Sequence, residues 1–151
     1  MSMLFDFLRE PMLCAVDVDG DERLVLHRQI LQRKEMLRTV FMEINDEFHR
    51  LANEYLTVDG AEVELGAGVA PMKEKYPNVL STDIVAAKHL DMALNAENMQ
   101  LGDVSVRVFY AQNCFHHFPH PSQFFSELER TLKPGGGAVI LEPYYGPMAT
   151  F

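Results

Sequence analysis

Apolar and polar residues follow two different periods along this chain, first that of a helix and then that of short strands. Between residues 24 and 56, apolar side chains recur every three or four positions, which predicts helix. The stripe consists of Leu37, Val40, Phe41, Ile44, Phe48, Leu51 and Tyr55. Because the apolar phase is least regular over residues 33–37, we predict two helices that meet there.

Beyond residue 57, short apolar runs bounded by turn residues predict five β-strands. These strands are predicted at residues 62–65, 78–83, 91–94, 104–111 and 138–141. A short helix is predicted at 70–76 and a longer one from His120-Pro121, which the segment KPGGG at 133–137 ends abruptly. Residues 84–90 are too few for a regular crossover helix and predict a loop or a single turn. Strands alternating with helices predict an α/β fold.

The first predicted strand runs into the glycine turn, the segment VELGAGVA at residues 63–70. Glycine has no Cβ and can adopt positive φ, so such a turn brings bare backbone close to a ligand. The order of strand, glycine turn and helix is that of a nucleotide-binding unit, although a plain turn between a strand and a helix would show the same sequence pattern.

An acid distinguishes this turn from those that bind pyrophosphate. Glu64 lies just before the glycines, Ala70 stands where a dinucleotide fingerprint has its third glycine, and no P-loop lysine follows. A carboxylate there would repel a pyrophosphate but suit an ammonium or sulfonium group. S-adenosylmethionine (SAM) carries both groups, and an NAD-type oxidoreductase is correspondingly disfavoured.

Asp83 ends the second predicted strand, about one βα unit after the glycines. Folds of this kind place a carboxylate there on the ribose hydroxyls. The alternative is a helix N-cap, but the position of Asp83 after an apolar strand favours the ribose role.

Composition and charge narrow the class of protein. The 151 residues are enough for one domain, with 48% hydrophobic and 23% charged residues. A net charge of −9 argues against nucleic acid as a partner. We interpret the basic cluster of Arg28, Arg33, Lys34 and Arg38 as a solvated face, with phosphate contact as the alternative.

Cys14 and Cys114 are far apart in the sequence and lack metal-ligand spacing, so we expect neither a disulfide framework nor a metal site. Without a signal peptide or a bilayer-length apolar run, we expect a cytoplasmic protein with no membrane partner.

Five motifs occur together in a characteristic order. They are VELGAG, the strand-ending Asp83, NAENMQL, RVFYAQN followed by FHHF, and LERTLKPGGGAVILEP. From about residue 61 to 143 the chain resembles the class I SAM-dependent methyltransferases, in the broad type 11 group that includes the ubiquinone and menaquinone biosynthesis enzymes. The resemblance implies a Rossmann-like doubly wound parallel sheet of strand order 3-2-1-4-5. It also implies a single domain at 1–151, with a helical N-terminal cap at 1–56, a core at 57–151, and SAM as the cofactor.

The resemblance implies roles for individual residues on the methionine and ribose side of the cofactor. Glu64 would lie near the methionine amino group, directly or through water. The backbone of Gly66, Ala67 and Gly68 would pass under the methionine and the ribose, and Asp83 would hold the ribose hydroxyls.

Further positions match the adenine and methyl-donor end of the family's pocket. They are Ile84, Asn95, Ala96, Glu97, Asn113 and Phe115. Asn95 replaces the usual aspartate, so its contact with the adenine amino group would be neutral. Arg107 stands where an aspartate commonly opens the fourth strand, which is a second departure.

A protein base is needed only if the methyl acceptor must lose a proton. His116, His117 and Tyr144 are the candidates, although the two histidines more simply cap the turn after the fourth strand. Tyr144 and Tyr145 follow the fifth strand at the edge where ligands gather, or they cover the core. We expect a small-molecule acceptor. The alternative is a non-catalytic SAM-binding or interaction module.

The sequence ends after the fifth predicted strand, whereas the family's sheet normally adds two more. A sheet that ends at residues 138–141 exposes a hydrophobic edge. We therefore expect this form to associate as a homo-oligomer through that edge, or to have reduced stability.

Overall fold

Two consecutive helices precede the sheet, as the helical period predicts. The computed structural model describes residues 23–144 and 146, so Cys14 and Tyr145 lie outside the described residues. Helix α1 spans Arg23–Arg33 and α2 spans Glu35–Tyr55, so the break falls at Lys34, inside the predicted window. Phe48 and Ala52 of α2 are buried against the sheet.

The core is a five-stranded parallel sheet. Its strands are β1 (Ala61–Leu65), β2 (Leu80–Asp83), β3 (Met92–Ala93), β4 (Val106–Gln112) and β5 (Leu132–Leu141). They lie side by side in the order β3-β2-β1-β4-β5, which confirms the Rossmann-like order. The short helix α3 (Pro71–Lys75) follows β1, and α4 (Pro121–Thr131) leads into β5. A loop links β2 to β3, as the short segment there predicts.

The fifth strand starts six residues earlier than predicted, directly after α4. The segment at 133–137 does follow the end of that helix, but it belongs to β5 as a bulge, because Val106 pairs with Leu132 and Val108 with Gly137. A Cβ on Gly136 would lie 2.6 Å from the carbonyl oxygen of Arg107, so only glycine allows this approach of the two strands.

Side chains pack on both faces of the sheet. Val63, Phe109 and Phe124 belong to a cluster under α4, whereas Val108 and Tyr110 join a second cluster under α2 and α3. The alternation along β1 therefore sends Val63 and Leu65 to the α4 side, and Glu64 to the face that the N-terminal helices cover.

Arg107, which departs from the family pattern, ties the end of α2 to the sheet. Its guanidinium is buried and donates to Glu62 Oε1 at 2.6 Å, to Asn53 Oδ1 at 2.9 Å and to the Ala52 and Leu56 carbonyls. The last carbonyls of a helix lack partners within it. The arginine thus fixes the cap helix α2 on the core.

Strand β5 forms one edge of the sheet, and its Ile140 and Leu141 side chains are exposed. Association through this edge stays a prediction. No helix among the described residues has the length and the apolar character needed to cross a bilayer.

Candidate functional site

The glycine turn lies at the carboxyl end of β1 and is held in a fixed shape by β2. Gly66 and Gly68 have φ values of 61° and 52°. The amide of Ala67 donates to the Thr82 carbonyl at 2.8 Å, and the amide of Gly68 donates to Asp83 Oδ2 at 3.0 Å. Main-chain groups of the turn are therefore fixed before any ligand binds.

Gly66 is required by packing as well as by its positive φ. A Cβ there would lie 2.6 Å from the Cβ of Cys114, which follows β4. Burial raises the pKa of the Cys114 thiol to about 12, and its Sγ donates to the Leu65 carbonyl at 3.5 Å. Cys114 is thus a packing residue beneath the turn and not a nucleophile.

Two cavities of similar size flank the glycine turn. The cap-side cavity, of about 420 Å³, lies between the turn and helices α1 and α2. The loop-side cavity, of about 410 Å³, lies between the carboxyl ends of β1 and β2 and the loops that follow β3 and β4. Gly66 and Asn113 line both cavities, so they form the wall that the two share.

Glu64 is a buried acid on the wall of the cap-side cavity. The residue is 6% exposed, and its Oε2 atom accepts no hydrogen bond from any described residue. Burial, and then the charge of Asp83, raise the pKa of Glu64 to about 8. A buried carboxylate oxygen without a partner is costly, so this position suits a cationic ligand.

Asp83 lies at the end of β2 and lines the loop-side cavity. Its Oδ2 accepts the Gly68 amide at 3.0 Å, and its Oδ1 accepts the Val85 amide at 3.1 Å. Each oxygen keeps a further lone pair, so the carboxylate is held in a fixed orientation and can still accept two hydroxyl groups.

The residues matched to the adenine end line the same cavity. Ile84 is 71% exposed, and with Asn95, Ala96 and Glu97 it lines the loop-side cavity. Asn95 Oδ1 accepts the Glu97 amide at 2.9 Å, and the Glu97 carboxylate accepts the amide of His120, the N-cap residue of α4. The Asn95 and Glu97 oxygens therefore already hold the protein's own backbone.

Asn113 and Phe115 both follow β4, but Asn113 lines the cavities and Phe115 packs in the core. Asn113 has a φ of 54°, which is uncommon outside glycine, and lines both cavities. The Phe115 ring packs against Phe118 and Phe124 in the aromatic cluster under α4. The structure does not bring Phe115 into either cavity, whereas Phe118 lines the loop-side cavity.

The three candidate bases lie outside the cap-side cavity. His116 Nδ1 is 2.5 Å from Glu142 Oε2, and Glu142 Oε1 also accepts the Phe115 amide at 2.7 Å. Burial opposes ionisation of Glu142, but these contacts lower its pKa. His117 lines the loop-side cavity, and Tyr144 is 90% exposed.

Several residues that line or brace the site were not predicted as site residues from the sequence. His27 of α1 lines the cap-side cavity beside the apolar residues of the cap. Arg28 donates to the Val69 carbonyl at 2.7 Å, so the interpretation of its basic cluster as a solvated face is wrong for this residue. Gln112, by contrast, could have been found, because it ends a parallel strand where ligands gather.

These features fit a cationic adenosyl cofactor. The unpaired buried oxygen of Glu64 suits an ammonium or sulfonium group, and the fixed Asp83 carboxylate suits a diol. The fold and the site are thus those of an α/β protein whose parallel strand ends are suited to a positively charged nucleoside cofactor.

A family model described as a methyltransferase domain matches residues 26–140. The match covers most of the chain, so this protein belongs to that family of methyltransferase domains. Membership implies SAM as the cofactor, as the sequence resemblance indicates.

Solved structures share the fold at low sequence identity. A Methanococcus maripaludis protein with a provisional assignment as a SAM-dependent methyltransferase aligns with 86% of this chain and 67% of its own, at 14% identity and a TM-score of 0.57. The [4+2]-cyclase SpnF aligns with 66% of this chain and 44% of its own, at 19% identity and a TM-score of 0.50. The YcgJ protein of Bacillus subtilis aligns with 64% of this chain and 50% of its own, at 17% identity and a TM-score of 0.50.

The chain spans about half the length of the cyclase and of YcgJ. No curated protein sequence matches it significantly.

Proposed function

We propose that this protein transfers a methyl group from SAM to a small-molecule acceptor. The observation that carries the proposal is the buried Glu64 carboxyl group beside the fixed glycine turn, whose Oε2 has no hydrogen-bond partner among residues 23–144. A dinucleotide cofactor would place anionic phosphates at such a turn. An anion there would keep Glu64 protonated and gain no charge pair, whereas an ammonium group stabilises the ionised carboxylate. Membership of the methyltransferase domain family supports the same cofactor.

Each part of the site has a role in holding the cofactor. In this proposal Glu64 binds the methionine ammonium, the main chain of Gly66, Ala67 and Gly68 passes under the methionine and ribose, and Asp83 accepts the ribose hydroxyls. Bound SAM supplies a methyl group that its sulfonium has already activated.

Residues at the adenine end would shape the far side of the cofactor. Ile84 offers an exposed apolar surface to the adenine, and the turn at residues 95–97 borders it through main chain and Ala96. Asn113, in the shared wall, would lie beside the methyl donor.

Positioning supplies most of the rate in such a reaction, because the methyl donor is reactive without further help. The protein's contribution is to hold acceptor and methyl group in line and to exclude water. The cap-side cavity meets this need, since it opens beside Glu64 and Gly66 and is covered by α1.

The test is calorimetric titration with S-adenosylhomocysteine and, separately, with NAD. We expect binding of the first in the micromolar range and none of the second. A second assay follows transfer of labelled methyl from SAM into a mixed pool of small metabolites. Binding of NAD, or no binding of S-adenosylhomocysteine, would contradict the proposal.

A second candidate function is SAM binding without methyl transfer. Two observations favour it: the fold likeness to a [4+2]-cyclase, and the position of His116, His117 and Tyr144 outside the cap-side cavity. A fold alone does not fix the chemistry it supports. Binding of S-adenosylhomocysteine with no labelled product from any pool would favour this second function.

A further inference from the structure

The cap-side cavity, of about 420 Å³, extends from the glycine turn to the helices α1 and α2. Glu64 and the glycine turn line one end of it, and the helices α1 and α2 line the other. The far end is walled mainly by aliphatic and aromatic side chains, which are Leu24, Ile30, Leu31, Leu37 and Phe41. Ligand sites of this kind are mostly apolar, with few polar groups that orient the ligand.

Of the described residues that line this cavity, those with a polar side chain are His27, Lys34, Glu64, Gln112 and Asn113. An amide does not take a proton at neutral pH, and a lysine ammonium is a donor only. Histidine is the side chain that most readily exchanges a proton near neutrality, and the Glu64 carboxylate belongs to the cofactor end. By elimination, His27 is the group suited to receive a proton there.

Helix α1 is fixed on the glycine turn, which keeps His27 facing the cavity. Arg28, the next residue, donates to the Val69 carbonyl at 2.7 Å and lies 3.8 Å from the Glu74 carboxylate. The apolar end and the glycine turn are therefore parts of one site.

Building on the proposed function, we propose that the methyl acceptor is a neutral, mainly apolar molecule with one hydroxyl group, and that His27 accepts the hydrogen bond and then the proton of that hydroxyl. In the reaction the bond from the acceptor oxygen to the methyl carbon forms as the sulfur–methyl bond breaks. The sulfur keeps the electron pair and becomes a neutral thioether, and the hydroxyl proton passes to the His27 ring. Because Lys34 also lines the cavity, an anionic molecule is the alternative class of acceptor.

The acceptor class is tested with 2-naphthol, naphthalene and naphthalene-2-sulfonate as probes. Each is titrated into the protein saturated with S-adenosylhomocysteine, so that the cofactor end is filled. We expect 2-naphthol to bind at least tenfold more tightly than the sulfonate, because an apolar cavity does not compensate the desolvation of a charge. A sulfonate that binds as tightly as 2-naphthol would overturn the neutral class in favour of the anionic one.

A matched pair of variants locates these probes in the cavity. Leu37 and Val40 lie on the same helix and are 40% and 46% exposed, but only Leu37 lines the cavity. We expect Leu37→Glu to weaken 2-naphthol at least tenfold and Val40→Glu to leave it unchanged, with S-adenosylhomocysteine affinity kept in both. Equal effects of the two substitutions on 2-naphthol would overturn the placement of the acceptor.

The role of His27 is tested with His27→Phe, which keeps an aromatic ring but removes the proton acceptor. We expect about a fivefold loss of 2-naphthol affinity with no change for naphthalene. Labelled methyl transfer to 2-naphthol should fall by about 10²- to 10⁴-fold. An unchanged transfer rate would overturn the role of His27. If the wild-type protein methylates other acceptors but binds 2-naphthol without methylating it, the acceptor class is overturned.

These outcomes differ from failure of the proposed function itself. If S-adenosylhomocysteine does not bind the wild-type protein, the cofactor assignment fails. If it binds and other acceptors are methylated while 2-naphthol does not bind, only the present inference fails.

Discussion

The two cavities beside the glycine turn differ in what builds them. The loop-side cavity is made by strand ends and short loops, and main-chain amides fix its central acid Asp83. The cap-side cavity is closed by α1, which contacts the turn through the hydrogen bond from Arg28 to the Val69 carbonyl. The loop-side cavity and the glycine turn with Glu64 are held by the strand ends, and we call them the proposed cofactor half. The end of the cap-side cavity that α1 and α2 line depends on how one helix is placed, and we call it the proposed acceptor half.

Backbone bonding explains why the cofactor half is rigid. The amides of Ala67 and Gly68 and the carbonyl of Gly68 are all engaged, the last by the His89 ring at 2.7 Å. A site whose donors are already oriented loses little entropy on binding. Substitutions in this half should therefore have the larger effects.

The largest effect is expected from Gly66→Ala. Its Cβ would lie 2.6 Å from Cys114 Cβ at a φ of 61°, so we expect a loss of about 2–4 kcal/mol in the free energy of unfolding and no detectable S-adenosylhomocysteine binding. Gly68→Ala is the matched control: φ is 52°, but the nearest atom to its Cβ is 3.9 Å away. It should cost only about 1 kcal/mol. Equal melting temperatures for the two variants would contradict the packing argument.

The next effect concerns the charge of Glu64. Glu64→Gln keeps the shape but removes the anion, and we expect S-adenosylhomocysteine affinity to fall by about 10- to 100-fold, since a charged hydrogen bond is lost. Because the pKa of Glu64 is raised to about 8, binding of an ammonium near neutral pH should release a proton. Calorimetry in two buffers of different ionisation enthalpy measures that release. A wild-type protein that releases no proton would contradict this account of the site.

A third prediction follows from the same raised pKa, now for stability without ligand. In the folded protein Glu64 keeps a proton that the unfolded chain releases above pH 4.5, the ordinary pKa of this group. Its contribution to the free energy of unfolding is therefore fully present below that pH and is lost as the pH rises through about 8. We expect the melting temperature of the wild type to fall more than that of Glu64→Gln between about pH 6 and about pH 9. Parallel profiles would show that Glu64 is not buried as described.

The smallest effect is expected in the acceptor half. Arg28→Met removes the hydrogen bond to Val69 and keeps a long side chain, so α1 should cover the cavity less well. We expect a few-fold loss of 2-naphthol affinity with S-adenosylhomocysteine affinity nearly unchanged. Arg50→Met, on the exposed face of α2 beside Glu47, is the control. If Arg28→Met lowers the affinity for S-adenosylhomocysteine more than the affinity for 2-naphthol, the two halves are not separable as described.

The glycine turn and the positions of Glu64 and Asp83 around it could be predicted from sequence because their signals are local. Two glycines after a strand, an acid in that strand and an acid at the next strand end each mark one point of the chain, and the structure gives Gly66 the positive φ that such a turn uses. The roles of these residues in binding SAM stay predictions. The strand order followed from the family resemblance. The start of β5 was missed because glycines and a proline normally end a strand, and only the close approach of Arg107 to Gly136 reveals the bulge.

The acceptor half could not be predicted, because it depends on long-range contacts. Nothing in the spacing of α1 indicates which side His27 presents, or that Arg28 reaches Val69 across 41 residues of sequence. The position of Phe115 illustrates the same limit. An aromatic residue after a strand suits a pocket wall or a core equally. Phe115 belongs to the core because its ring packs against Phe124 under the sheet.

The wall formed by Gly66 and Asn113 has a practical consequence for inhibitor chemistry. Because Gly66 and Asn113 line both cavities, the cavities adjoin there, and one compound with an adenosine moiety and a naphthyl moiety on a short tether would occupy both at once. Tethering turns the second contact into an intramolecular event, so the affinity of the joined compound would exceed that of either fragment by about 10²- to 10⁴-fold.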